Sequence, residues 1–222
     1  QSGTTYTLDS GLSNLGLTGL TIIGNDATVS LGSNASLNAS YSDNTTHKLT
    51  ISDVNFEASD STAILTLSLY YWDDLNIDTC SFKDVKVFVG KYEGESGLSA
   101  SVTGCGFSTG ISDTGYALTL NAGDLQVSGN TVQGFGRGIN MNVSGGSGAI
   151  LVDGNNISGL TNTEKPVAFQ ICQDAGDRSP LFQNNTVGSG CIGLSVYNDF
   201  STGGSISLVD NVFTGCVADI LY

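Results

Sequence analysis

Eight times between residues 20 and 213 the chain repeats one phrase. An apolar residue, any residue and a second apolar residue are followed by any two, then usually Asn or Cys, one more residue and a third apolar one. The phrase is Leu20-x-Ile22-x-x-Asn25-x-Ala27, Leu49-x-Ile51-x-x-Val54-x-Phe56, Leu75-x-Ile77-x-x-Cys80-x-Phe82 and Ala100-x-Val102-x-x-Cys105-x-Phe107. It continues as Leu125-x-Val127-x-x-Asn130-x-Val132, Ile150-x-Val152-x-x-Asn155-x-Ile157, Pro180-x-Phe182-x-x-Asn185-x-Val187 and Ile206-x-Leu208-x-x-Asn211-x-Phe213. Successive sixth positions lie 29, 26, 25, 25, 25, 30 and 26 residues apart. Alternating apolar residues mark a strand with one buried face, and a fixed period marks stacked, near-identical units. The strands of a β-sandwich or propeller have no cause to share one phrase at this period. The gaps also lack the three-and-four apolar spacing of the helices that an α/β chain requires.

The fold expected is all-β: one parallel β-helix, or β-solenoid, over residues 1–222. Residues 1–19 are expected as a lead-in covering the first coil, and 20–222 as about eight coils of roughly 25–30 residues each. Asn suits the end of the repeated strand, because it tolerates left-handed backbone and its amide both donates and accepts. Stacked Asn side chains can then satisfy backbone groups buried between coils. A second alternating stretch follows each phrase, as in Leu65, Leu67 and Leu69 or Ile139, Met141 and Val143. Two polar excursions, 32–48 and the swollen sixth repeat around 161–166 and 173–180, are the places where binding residues would project.

Charge narrows the partners. Seven basic residues against twenty-one acidic ones give a net charge of −14. No basic stripe is present to neutralise phosphates, which argues against nucleic acid and anionic membrane surfaces. No apolar run approaches the roughly 20 residues of a membrane-spanning helix, so membrane insertion is not expected. The opening Gln1-Ser-Gly-Thr-Thr looks like a mature chain that has lost an export signal, and points to an extracellular or cell-surface location.

The phrase, its period and the Asn residues at 130, 155, 185 and 211 make the chain resemble the right-handed parallel β-helix proteins of the pectate-lyase-like superfamily. Gly-Leu-Thr-Ile-Ile-Gly at 19–24 is similar to their opening rung. The resemblance covers residues 20–221. It implies three sheets wound into a prism, an apolar interior with side-chain stacks and an extracellular life. It implies no single activity, since the scaffold carries lyases, hydrolases, phage tail proteins, adhesins and passenger domains.

Enzyme motifs of that superfamily are incomplete here. Leu75-Asn-Ile-Asp-Thr-Cys-Ser-Phe82 is similar to the calcium-site segment of the pectate lyases only in Ile77-Asp78 and Cys-Ser-Phe, with Asn76 and Thr79 in place of its Trp and His; this is the one pointer to Ca2+. The Asn-Thr-Asp, paired Asp, Gly-His-Gly and Arg-Ile-Lys motifs of polygalacturonases are absent. Asp73 and Asp74 are adjacent, so on a strand their side chains point apart. Lys165 and Arg178, as the base and the cation that a lyase reading would use, are the catalytic candidates, with Asp174 and Asp177 beside them to lower their net charge or hold a metal. His47 is the only histidine and has no nucleophile or metal-ligand company in sequence.

For binding, Tyr70 and Trp72 are expected to face outward opposite Leu65, Leu67 and Leu69, with Phe88 beside them on the next coil, ready to stack on a sugar ring or anchor a partner. Cys80 and Cys105 occupy equivalent positions one repeat apart, and Cys191 and Cys216 follow their repeat's Asn by six and five residues. Strand spacing of about 4.8 Å puts both pairs within disulfide reach, and the alternative is that each is a stack of buried thiols. Cys172 has no evident partner. Asn34, Asn38 and Asn44 lie in an excursion as Asn-x-Ser/Thr sequons, which makes them glycosylation candidates.

These readings favour a non-catalytic extracellular module of a surface, adhesive or filament-forming protein, stacked end to end on copies of itself or neighbouring domains, with surface glycans as further partners. The rivals are a polysaccharide lyase or glycoside hydrolase and a glycan-binding module without turnover.

Overall fold

A computed structural model describes residues 4–40, 46–90, 98–173, 178–197 and 205–221. Its strands pair in parallel throughout, and no helix occurs among the described residues. Each coil lays down three strands, which stack into three rows. In the fifth coil they are Asp124–Ser128, Thr131–Gln133 and Arg137–Val143. The continuous strand Lys48–Ala58 joins the first two rows into a 15-stranded sheet, while the third row forms a 7-stranded sheet of its own. Eight coils follow one another in this way, as the repeated phrase requires.

Residues before Leu20 do more than cover the stack. Thr5–Leu8 pairs with Thr28–Leu31, and Leu12–Leu15 with Leu37–Ala39, so the lead-in supplies the second and third rows of an additional, partial coil.

Alternation places one side chain in two inside, and register turns these into columns. Ile51, Ile77, Val102, Val127, Val152 and Phe182 form one, and Leu67, Val87, Leu118, Ile139, Phe169 and Leu194 another; each of these side chains is at most 1% exposed. Phe56, Phe82 and Phe107 stack face to face, with centroids 5.1 and 4.8 Å apart and planes 4° and 10° from parallel. Burying each large apolar side chain contributes about 1.5–3 kcal/mol relative to leaving it in water.

Between the first and second rows the backbone turns through one left-handed residue in every coil from the second onward: Asp53, Thr79, Gly104, Gly129, Gly154, Asn184 and Asp210, with φ between 51° and 65°. The residue after this turn faces inward, and there the Asn and Cys residues stand in line. Asn130 Nδ2 donates to the Val102 carbonyl and to Asn155 Oδ1, each at 2.9 Å, and its backbone N–H donates to the same Oδ1 at 3.0 Å. Asn155 repeats this on Asn185, and Asn185 on Asn211. At the other end the Cys105 N–H donates to Asn130 Oδ1 at 2.9 Å, and the Cys80 N–H to Cys105 Sγ at 3.5 Å.

One coil departs from the phrase. In the first coil the register skips between Ile23 and Ala27, so that Ala27, not Asn25, stands opposite Val54. Asn25 and Asp26, with φ of 48° and 62°, form a two-residue bulge that carries both side chains to the surface.

Candidate functional site

Trp72 is not the outward aromatic that alternation suggests. It is 1% exposed, and its Nε1 donates to the Leu37 carbonyl at 2.8 Å. The reason is local: Tyr71 adopts φ 68°, which breaks the strand after Tyr70 and turns the next side chain inward. Tyr70 and Phe88 do lie side by side on the outer surface, half-buried, with ring centroids 5.3 Å apart. The Tyr70 N–H donates to Asn38 Oδ1 at 3.0 Å.

The sixth coil does not assemble the expected catalytic cluster from its described members. Lys165 precedes the strand Val167–Gln173 and Arg178 follows it. At about 3.3 Å per residue, the seven-residue strand between them spans roughly 20 Å. Lys165 is exposed. Arg178 is a clasp: its guanidinium donates to the carbonyls of Gly123, Gly145 and Gly148 and to Asp124 Oδ1 at 3.0 Å. Those carbonyls belong to turns of earlier coils, which Arg178 pins together. Gly146 can sit there only without a side chain, because its φ is 72° and a Cβ would come within 2.6 Å of Asp124 Oδ1. Beside the clasp Ile150, Leu151, Ser179 and Leu181 line a shallow pocket of about 480 Å³. Asp174 and Asp177 lie outside the described residues, as does Asn44.

The other titratable candidates are held in structural roles. Asp73 Oδ2 accepts the His47 backbone N–H at 2.7 Å, while Asp74 pairs with Lys48 at the exposed surface. His47 is buried with Nδ1 2.6 Å from the Leu17 carbonyl, which fixes its proton on that nitrogen. Asp78 accepts the hydroxyls of Thr103 and Thr79 at 2.6 and 3.0 Å. No group of three or more His, Cys, Asp or Glu among the described residues is placed to hold a metal ion. Asn34 is exposed, whereas Asn38 is half-buried by its bond to Tyr70.

All five cysteines are thiols. Cys191 and Cys216 sit on adjacent coils with their sulfurs 4.0 Å apart, and burial, reinforced by Cys216, pushes the Cys191 thiol up to about 12. Cys80 and Cys105 belong to the inner ladder, their sulfurs directed at the Ile51 and Ile77 carbonyls where Asn residues elsewhere direct Nδ2. The Cys80 sulfur and burial together push the Cys105 thiol far up. Burial likewise raises Cys172.

A further group, which sequence reading did not single out, lies on the outer surface of the third row. Tyr116 stands opposite Arg137 on the next coil, and the Arg137 guanidinium sits 5.3 Å from the Tyr116 ring centroid. The Tyr116 hydroxyl donates to Gln170 Oε1 on the coil beyond, and burial pushes the phenol up, so it stays a neutral donor. Arg137 Nε and Asn140 Oδ1 are buried polar atoms with no hydrogen-bond partner. Its signal in sequence is the absence of Asp and Glu from the outward positions of three successive third-row strands, 116–122, 137–143 and 167–173. No protein family, curated protein or solved structure compared with this chain matches it.

Proposed function

We infer that the chain is a non-catalytic scaffold of an extracellular surface or filament-forming assembly. The observation that carries this reading is the unbroken stack of apolar columns and the Asn ladder, with Arg178, Asp73, Asp78 and His47 held in contacts within that stack. Leu208 stacks in register on Phe182 and Ile220 on Leu194, yet Leu208 and Ile220 are 39% and 46% exposed where Phe182 and Leu194 are each 1% exposed. Val209 and Val212, at 43% and 53%, add to the same apolar edge. Exposed apolar side chains on such strands favour association between copies. A low proportion of basic residues and the sequon-bearing excursion support the extracellular part of the reading.

Sedimentation over a wide range of protein concentration tests it. Concentration-dependent end-to-end association is expected, and Leu208→Lys together with Ile220→Lys should abolish it, at some cost in melting temperature because both side chains also cover Phe182 and Leu194. A strictly monomeric chain at high concentration, or association indifferent to these substitutions, would count against the reading.

A further inference from the structure

We propose that Cys191 and Cys216 form an oxidation site, at which a small-molecule disulfide converts the two thiols into a cystine that ties the seventh coil to the eighth. Local sequence builds the site. Each cysteine follows a glycine in the left-handed region, Gly190 at φ 84° and Gly215 at φ 64°, and the Gly190 N–H donates to the Gly215 carbonyl at 3.0 Å, so one bend lies on the other. The stack continues past them, with the Val217 N–H donating to the Cys191 carbonyl at 2.8 Å. Both sulfurs turn to a single acceptor, the Gly188 carbonyl, at 3.4 Å from Cys191 and 3.7 Å from Cys216, and they stand 4.0 Å from each other. Coils stacked at about 4.8 Å meet the backbone requirement of a disulfide, and side-chain rotation has only to bring the sulfurs about 2 Å closer.

Access sets this pair apart from the other thiols. Cys216 is half-buried next to Val217, which is 76% exposed, while Cys191 is closed off at 2%. Cys80 and Cys105 are both buried in the inner ladder, and the sulfur of Cys172 meets Gln170 Nε2 at 3.6 Å on the outer surface. Reaction therefore begins at Cys216. Its thiolate attacks one sulfur of the disulfide RS–SR, and the first RS⁻ leaves. The Cys191 thiolate then attacks Cys216 Sγ in the mixed disulfide, which forms the protein S–S bond and expels the second RS⁻. Both cysteine protons end on RSH; two cysteines are oxidised and one RS–SR is reduced. Burial raises both thiols, so closure is faster in mildly alkaline solution, where more thiolate is present. The bond forms within one chain and fastens the coil that carries the exposed Leu208 and Ile220 to the closed stack.

The test incubates the reduced full chain with oxidised glutathione near pH 8.5, the ordinary thiol pKa. Remaining thiols are alkylated after denaturation and the digest is mapped by mass spectrometry. The expected product has lost two hydrogens, holds no glutathione and gives one crosslinked peptide pair joining Cys191 to Cys216. Amide exchange over 212–221 should slow by about tenfold or more in that product, because the bond restrains opening of the coil. Cys191→Ala should leave glutathione held on Cys216. Glutathione retained on Cys216 of the unsubstituted chain, a bond mapped to other cysteines or between copies, or five thiols surviving excess oxidised glutathione would overturn the proposal. An unmodified Cys216 in Cys191→Ala would overturn the order of attack, and unchanged exchange in the crosslinked chain would overturn the tie between coils. Mapping of the unsubstituted chain decides the site even if the substitution impairs folding.

Discussion

The side-chain oxygen of Asn155 accepts two hydrogen bonds from Asn130 on the preceding coil, one from its backbone N–H at 3.0 Å and one from its side-chain amide at 2.9 Å. Asn155 Nδ2 meanwhile donates to the Val127 carbonyl at 2.9 Å. All of these groups are buried, so deleting the amide strands donors and an acceptor at once. Asn155→Ala should destabilise the chain by about 3 kcal/mol. Asn155→Asp should be as damaging at neutral pH, because a carboxylate cannot donate to Val127 and a buried charge is expensive. Urea denaturation checks both, and the Asp variant should regain stability as the pH falls and its carboxyl is protonated.

The turn before the ladder separates conformational cost from packing. Thr79 holds φ 53° with a β-branched side chain, where the following coils place Gly104, Gly129 and Gly154 at φ 62° to 65°. Left-handed backbone costs a residue with a Cβ roughly 1–2 kcal/mol, while Thr79 gains one exposed hydroxyl bond to Asp78. Thr79→Gly should therefore raise the melting temperature, by about 0.5–1 kcal/mol of stability. Gly104→Val should lower it by more than that. Thermal unfolding of the two variants, with opposite signs, is the check.

Much of the architecture was legible because period and parity are properties of the sequence itself. The inner columns, the ladder from Cys80 to Asn211 and the number of coils follow from them. Asn25 was misplaced for the same reason. Its bulge inserts two residues, which preserves parity, so the phrase fits Asn25 and Ala27 as well as Ala27 and Val29. Trp72 was misplaced because one left-handed residue, Tyr71, resets parity. Arg178 and Arg137 were illegible in another way. Their roles depend on groups 21 to 55 residues distant, brought together only by stacking of the coils.

Trp72 gives a direct optical check on that correction. It is the sole tryptophan, fully buried against Leu37 and edge-on to His47 at 6.5 Å. Native emission should be blue-shifted and resistant to acrylamide quenching, becoming exposed only on unfolding. Trp72→Ala should cost about 3–5 kcal/mol, and Trp72→Phe about 1–3 kcal/mol, since it leaves the Leu37 carbonyl without its donor. An outward binding residue would show the opposite: red-shifted, quenchable emission and little loss of stability on substitution.

Cys191 links the packing of the seventh and eighth coils to pH. Burial, with Cys216 only 4.0 Å away, holds its folded-state thiol up to about 12, above the unfolded value near 8.5. The folded state therefore retains a proton that the unfolded state releases, and unfolding becomes more favourable as pH rises between these two values. The contribution is complete below the unfolded value and is lost as pH rises through that window. Stability measured from pH 8 to 11 should fall, and Cys191→Ala should lessen the slope even though the cavity lowers stability throughout. Alkylation follows the same logic: near pH 8 the native thiol should react far more slowly than a free cysteine, at a rate set by opening of the last coils. Rapid native-state labelling of Cys191 would show that this coil interface is not closed around the sulfur.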